Sequence, residues 1–183
     1  FLLFGITLLY GATGTFDITG VKNYLISNPA AVSPLFYGGI LLLLVGLLFK
    51  VGAAPFHFWS SAAYDGAPIL ITTYISTVVK VASFAGFMKL FSYVFSPLQD
   101  FWTPILLIII VITLFIGNIT ALLQTSFKRM LAYSSISHAG YMLFAIIALG
   151  ANADSSILTY GLAYSLASVA AFAGLILVKR SHG

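Results

Sequence analysis

The sequence predicts an all-α fold: a polytopic bundle of about six transmembrane helices forming one membrane domain over residues 1–183. Three observations carry this. Hydrophobic residues make up 61% of the chain and charged residues only 7%, with a mean hydropathy of +1.08. A soluble domain must coat itself with Lys, Arg, Glu and Asp, and eight basic and four acidic residues cannot cover a chain of 183. The solvent is therefore lipid. Second, apolar runs long enough to cross a hydrocarbon core of ~30 Å alternate with short polar breaks. Third, the runs lack the period-two alternation of a membrane strand, and in lipid a helix satisfies its backbone within itself.

In chain order, the first run covers 1–15. It falls short of the roughly 20 residues of a spanning helix, and with Phe1 in place of Met the first helix is expected to have lost its start. A signal peptide is not expected, because Lys22 follows the apolar run instead of preceding it. The stretch 17–34, with Asp17, Asn23, Asn28 and two prolines, reads as a loop. A second run covers 35–54 and meets Pro55, and 57–66 is polar. A third covers 68–95, closed by Pro97, Gln99 and Asp100. The remaining runs cover 104–124, 130–149 and 156–178.

Charge gives orientation rather than a binding patch. Lys128 and Arg129 between the fourth and fifth runs, and Lys179 and Arg180 after the sixth, share one side. Lys22 and Lys89 lie opposite with Asp17, Asp100 and Asp154, so the positive-inside rule places the Lys128 side in the cytoplasm, or in the matrix of a mitochondrion. The net charge of +4 is scattered, so no nucleic-acid partner is expected. With no cysteine there is no disulfide, thiolate metal site or cysteine nucleophile. The three histidines lack ligand spacing, and no phosphate-binding loop or nucleophile motif is present.

Two lysines break the rule of charges at helix ends. Lys80 follows Pro68 by a helical rise of ~18 Å, near mid-bilayer, where a charge on an isolated helix costs roughly 3 kcal/mol or more. Thr73, Ser76, Thr77 and Lys80 fall at i, i+3, i+4 and i+7, one polar helix face. In one reading the hydroxyls bond back to their own helix and Lys80 is a structural charge; in the other, favoured for an intramembrane lysine, the face is functional. Lys50 ends the apolar stretch 41–49 and stands five residues before Pro55, which cannot donate to the carbonyl of Val51. A break just beyond Lys50 is expected, freeing backbone that persists in a membrane only where it lines a cavity or is buried in protein. The bland alternative makes Pro55 a helix end and Lys50 a snorkelling residue. A lysine withdrawn from water can accept and release a proton near neutral pH. All four aspartates are expected in breaks between helices, leaving neither lysine a mid-membrane carboxylate.

The fifth run carries Ser134, His138 and Tyr141 at i, i+4 and i+7, with Ser137 beside them. A neutral imidazole both donates and accepts, so His138 reads either as a proton relay or as a bond holding two helices. Tyr160, Tyr164 and Ser168 make a similar line, read first as helix-pinning hydroxyls; His57 borders the break and either gates or caps it.

The segments FKVGAAPFHFWSSAAYDGAP (49–68), ITTYISTVVKVASFAGF and NITALLQTSFKRMLAYSSISHAGYML (118–143) resemble, in order along nearly the whole chain, the antiporter-like membrane subunit called subunit N in bacteria and NADH dehydrogenase subunit 2 in mitochondria. The chain departs from that pattern at Ser61 and Ala62, where the family usually has Pro-Asp. The resemblance implies the middle of an inverted-repeat membrane subunit of respiratory complex I, with Lys50 and Lys80 as proton carriers and the glutamate paired with Lys50 outside this chain. It implies no cofactor here, since NADH, FMN, iron–sulfur clusters and quinone belong to other subunits. It implies other complex I membrane subunits and the bilayer as partners, protons as the only small-molecule substrate, and a bacterial plasma membrane or mitochondrial inner membrane. A free-standing cation/proton antiporter, or a structural spacer, is the competing reading.

Overall fold

In the computed structural model the described residues are 1–28, 32–148 and 153–182, and the side chains at positions 153, 154 and 182 lie outside the description, so the membrane side expected for Asp154 does too. Among the described residues there are helices and no strands. They are α1 (Leu2–Thr13), α2 (Ile18–Ser27), α3 (Pro34–Val51), α4 (Phe58–Gly66), α5 (Ile69–Val94), α6 (Gln99–Leu122), α7 (Phe127–Ala148) and α8 (Ala153–His182). Five of these, α3 and α5 to α8, are long and apolar enough to cross a membrane, and α1 with α2, one pair bent by 51°, makes a sixth candidate span. The chain is a multi-pass membrane protein.

One expectation fails at the amino end. Residues 18–27 form a helix, not a loop. Gly14 adopts φ 73°, which ends α1, and the Asp17 carboxylate accepts from the Gly20 N–H at 3.0 Å, capping the next helix. Val21 and Leu25, four apart, are the buried face of α2, and Lys22 places its ammonium 3.5 Å from the centre of the Tyr93 ring. The polar residues were therefore the solvent side of a short amphipathic helix. Asp100 also differs from expectation, since it lies in the first turn of α6, where the helix dipole favours a carboxylate. Asp65 lies in the last turn of α4, not in a break.

The break beyond Lys50 is present. Gly52, with φ 76°, stops α3 at Val51, and α4 begins only at Phe58. Part of its freed backbone is buried in protein, where the Ala54 N–H donates to Thr113 Oγ1 of α6 at 3.0 Å, and at the exposed edge the Trp59 indole donates to the Phe49 carbonyl at 2.8 Å. The helices α6 and α7 pack very closely. A Cβ on Gly117 would lie 2.9 Å from the Ser137 backbone nitrogen, so only glycine allows this approach.

The helix α5 is irregular. Widened π-helical turns occupy Ile75–Val79 and Lys89–Val94. The first turns the buried face, so that Thr72, Ser76, Thr77 and Lys80 point inward and Thr73 is only partly buried, where a regular α-helix would have kept Thr73 in line. Beyond Lys80 the same helix buries Phe84, Phe87, Phe91 and Val94. At the other end of the bundle, Lys128 donates to the Asp65 and Ala67 carbonyls, and Arg129 pairs with Asp65 at 3.2 Å, tying α7 to the carboxyl end of α4.

Candidate functional site

The site grows from the polar half of α5. Lys80 is 6% exposed. Its ammonium donates to both the carbonyl and the hydroxyl of Ser135 on α7. A helix carbonyl already engaged by its own i+4 amide has a second lone pair for this. The Tyr164 ring of α8 lies 5.8 Å from the same ammonium. Among the described residues no carboxylate pairs with Lys80; the ion pair present is Arg129 with Asp65 at the bundle end. Its charge is thus held by oxygen dipoles and a ring face.

Ser135 is a junction. The Tyr164 hydroxyl donates to Ser135 Oγ at 2.8 Å, and the Tyr64 hydroxyl of α4 lies 3.2 Å from that oxygen. Ser76 Oγ is 2.8 Å from the Tyr164 hydroxyl. Counting protons orders these bonds. Tyr164 gives its single proton to Ser135, so Ser76 donates to Tyr164. Ser135 Oγ accepts from both Lys80 and Tyr164, which fills its lone pairs, so its own proton points at Tyr64. Four helices, α4, α5, α7 and α8, each contribute to this hydroxyl cluster.

Beside it is a cavity of about 230 Å³ lined by Ser76, Ser134, Ser135, His138, Tyr164 and Ser168 among others. This is roomy and polar enough for water. On its rim His138 Nδ1 meets the Tyr160 hydroxyl at 2.7 Å, with the His138 and Tyr164 rings 4.9 Å apart.

Lys80, Ser76, Ser134 and His138 gather around the cluster and its cavity. Thr77 is buried but its hydroxyl returns to the Thr73 carbonyl at 2.7 Å, so it bonds its own helix. Tyr141 is 46% exposed, its ring 6.2 Å from that of His138. Lys50 is exposed on the last turn of α3, apart from the cluster, and no described side chain forms an ion pair or hydrogen bond with it. Pro55 is exposed within the break. Ser135 and Tyr64, the groups that touch or neighbour the Lys80 contact, were not singled out. The sequence signal that existed for them was only that hydroxyls recur on α4 and α7.

The transmembrane family described as NADH:quinone oxidoreductase/Mrp antiporter matches residues 1–183. The NADH-quinone oxidoreductase subunit N of Mycobacterium tuberculosis is 43% identical over 183 residues, covering all of this chain and 34% of that protein. The chain therefore spans about a third of the length of the curated relatives it matches. Among solved structures, respiratory complex I from Thermus thermophilus with bound aureothin contains a chain 37% identical, with a TM-score of 0.72 over 92% of this chain and 35% of that one. The Mrp complex of a Dietzia species shares the fold, with a TM-score of 0.82 at 22% identity over 93% of this chain and 31% of that one. Matched along its whole length, this chain belongs to the NADH:quinone oxidoreductase/Mrp antiporter transmembrane family.

Proposed function

We propose that this chain is part of a proton-translocating membrane subunit of NADH:quinone oxidoreductase, in which Lys80 takes up and releases the proton. The observation that carries the reading is the buried Lys80 ammonium held by Ser135, without a carboxylate among the described residues, one side chain away from a water-sized polar cavity. An ammonium fixed by a carboxylate releases its proton only when that carboxylate is neutralised or moves away, because the paired charge favours the charged form. One held by neutral hydroxyls exchanges its proton with the hydroxyl network, and rotation of Ser135 lets its O–H donate to the neutral amine.

Water reaching the cavity would deliver a proton through Tyr164 and Ser135 to Lys80, with Ser76 and His138 on the cavity wall as further donors and acceptors. Lys50, exposed on this chain's surface, would be the second carrier, its charge coupled to Lys80 through the low-dielectric interior and balanced by an acidic group of a neighbouring segment. The identity to subunit N, 43% against 22% to the Mrp chain, supports this over a free-standing cation/proton antiporter. On this reading other membrane subunits are its partners, the membrane is a bacterial plasma membrane, and NADH, FMN, iron–sulfur clusters and quinone are bound elsewhere in the assembly.

The experiment is deletion of the full-length gene in its own organism, followed by complementation. The reading predicts loss of quinone-linked NADH oxidation and of its proton uptake in membrane vesicles, both restored by the wild-type gene. Unchanged NADH-driven pumping in the deletion strain, with loss of cation/proton exchange instead, would replace this reading by the antiporter.

A further inference from the structure

Away from the hydroxyl cluster, at the carboxyl end of α5, a second cavity of about 290 Å³ lies between α1, α2, α3 and α5. Leu2, Ile6 and Leu9 line it one turn apart on α1, so it runs ~10 Å along that helix. Val21, Leu43 and Leu90 close it from α2, α3 and α5. Thr15 is the one polar side chain among its lining residues, and its hydroxyl already accepts from the Asp17 N–H at 3.1 Å. So apolar a slot does not hold ordered water, which needs two or more polar partners. An α-helix, ~10 Å wide with its side chains, is too broad for it, whereas a single run of methylenes fits.

Its mouth has the opposite chemistry. Lys22, next to the lining residue Val21, is half-buried with its ammonium 3.5 Å from the centre of the Tyr93 ring, and Tyr93 adjoins the lining residue Val94. Lys89, exposed, adjoins Leu90 on the same widened turn of α5. Among the described residues no carboxylate pairs with Lys22; the nearest acid along the chain, Asp17, accepts from the Gly20 N–H at 3.0 Å. A ring face holds an ammonium less strongly than an anionic oxygen does, so the best bond Lys22 can make is unmade. Tyr93 is half-exposed, and Tyr10 stacks on Phe16 at 4.2 Å beside the same cavity. Such aromatic groups gather at the level of lipid headgroups.

We propose that this cavity is a phospholipid site, with one acyl chain in the slot along α1 and the phosphate bound by Lys22, Lys89 being the second cation at the mouth. It requires only that the chain spans a membrane and stands apart from any role of Lys80. Charge at the mouth and an alkyl-sized apolar slot behind it match the two ends of one molecule. The lipid ties α2 to α5 across the mouth, where the protein itself supplies the contact of Lys22 with Tyr93.

The test uses the full-length subunit in its assembled complex, reconstituted in phosphatidylcholine vesicles containing a small fraction of phosphatidylglycerol with a photoreactive diazirine on its acyl chain. Crosslinks are mapped by peptide mass spectrometry and normalised to all label on the subunit. They concentrate on residues 2–9 and 89–95. Lys22→Met keeps the apolar stem and lowers that labelling about fivefold, the ratio equivalent to the ~1 kcal/mol a basic residue contributes at an anionic lipid surface. Ile6→Trp fills the slot from its exposed wall and abolishes the labelling with Lys22 intact. A diacylglycerol with the same diazirine, lacking the phosphate, labels these residues severalfold less. Absence of label on 2–9 and 89–95 in a complex labelled elsewhere overturns the proposal, since another part of the assembly then fills the cavity. Labelling unchanged by Lys22→Met, or equal for the diacylglycerol, also overturns it, leaving only unselective contact with bulk lipid.

Discussion

The two halves of α5 share one helix, and each contains a π-helical turn, yet they are packed differently. The amino-terminal half turns Thr72, Ser76, Thr77 and Lys80 inward against Ser135 of α7 and Tyr164 of α8. The carboxyl-terminal half turns Phe84, Phe87 and Phe91 inward, with the Phe91 ring 5.4 Å from Trp102 at 88° and 5.3 Å from Phe95 at 72°. Helix irregularity therefore does not by itself make a site. What decides is the chemistry offered across the interface: hydroxyls and a carbonyl oxygen in one half, edge-on rings in the other. Edge-to-face rings hold helices together through fixed contacts. Hydroxyls hold them through bonds whose donors and acceptors can exchange, and only that half can pass a proton.

Substitutions in each half should separate folding from transport. The largest effect expected on assembly is in the aromatic half, where Phe91→Ala empties a well-packed position at a cost on the order of 3 kcal/mol. The yield of folded complex should drop in detergent while uptake per folded complex stays near wild type. Normal yield with lost pumping would blur the division between halves. Ser135→Ala should do the reverse. It removes the junction hydroxyl and leaves the carbonyl to hold Lys80, so assembly should survive and NADH-driven proton uptake should fall about tenfold or more. A smaller effect belongs to the break. Thr113→Val leaves the buried Ala54 N–H without its acceptor, at about 1–3 kcal/mol, seen as a lowered unfolding temperature with pumping retained. The smallest should come from Lys128→Met, because the hydrogen bonds of a half-buried lysine at a bundle end contribute roughly 1 kcal/mol.

Much of this division was legible in the sequence. The depth of Lys80 follows from counting residues past Pro68, and the interruption beyond Lys50 follows from Pro55, because both are matters of one helix and its rise. The structure adds that Gly52, with its positive φ, ends the helix a turn before the proline acts. What one helix cannot reveal is which residue it meets. Ser135 is 55 residues from Lys80 and Tyr64 is 71 from Ser135, and serines and tyrosines are common enough on α4, α7 and α8 that spacing does not choose among them. The same holds for Thr113, 59 residues from the amide it satisfies. The shift from Thr73 to Thr72 on the buried face was hidden because a period of 3.6 residues assumes a regular helix, which the turn at Ile75–Val79 is not. The helix α2 is hidden from a count of polar residues, because only the four-residue spacing of Val21 and Leu25 marks its buried face.

The central claim is that Lys80 carries a proton, and it is tested most directly by comparing Lys80→Met with Lys89→Met in the assembled, reconstituted complex. Both lysines lie on α5; Lys80 is buried among hydroxyls and Lys89 is exposed in the second π-helical turn. Methionine preserves an unbranched apolar stem and removes the titratable group. The account predicts that NADH-driven proton uptake is lost in Lys80→Met, with the complex still assembled, and stays near wild type in Lys89→Met. Lys80→Arg should fail as well, because a guanidinium does not release its proton. Equal, near-wild-type uptake in both methionine variants would contradict the account and leave Lys80 as a structural charge.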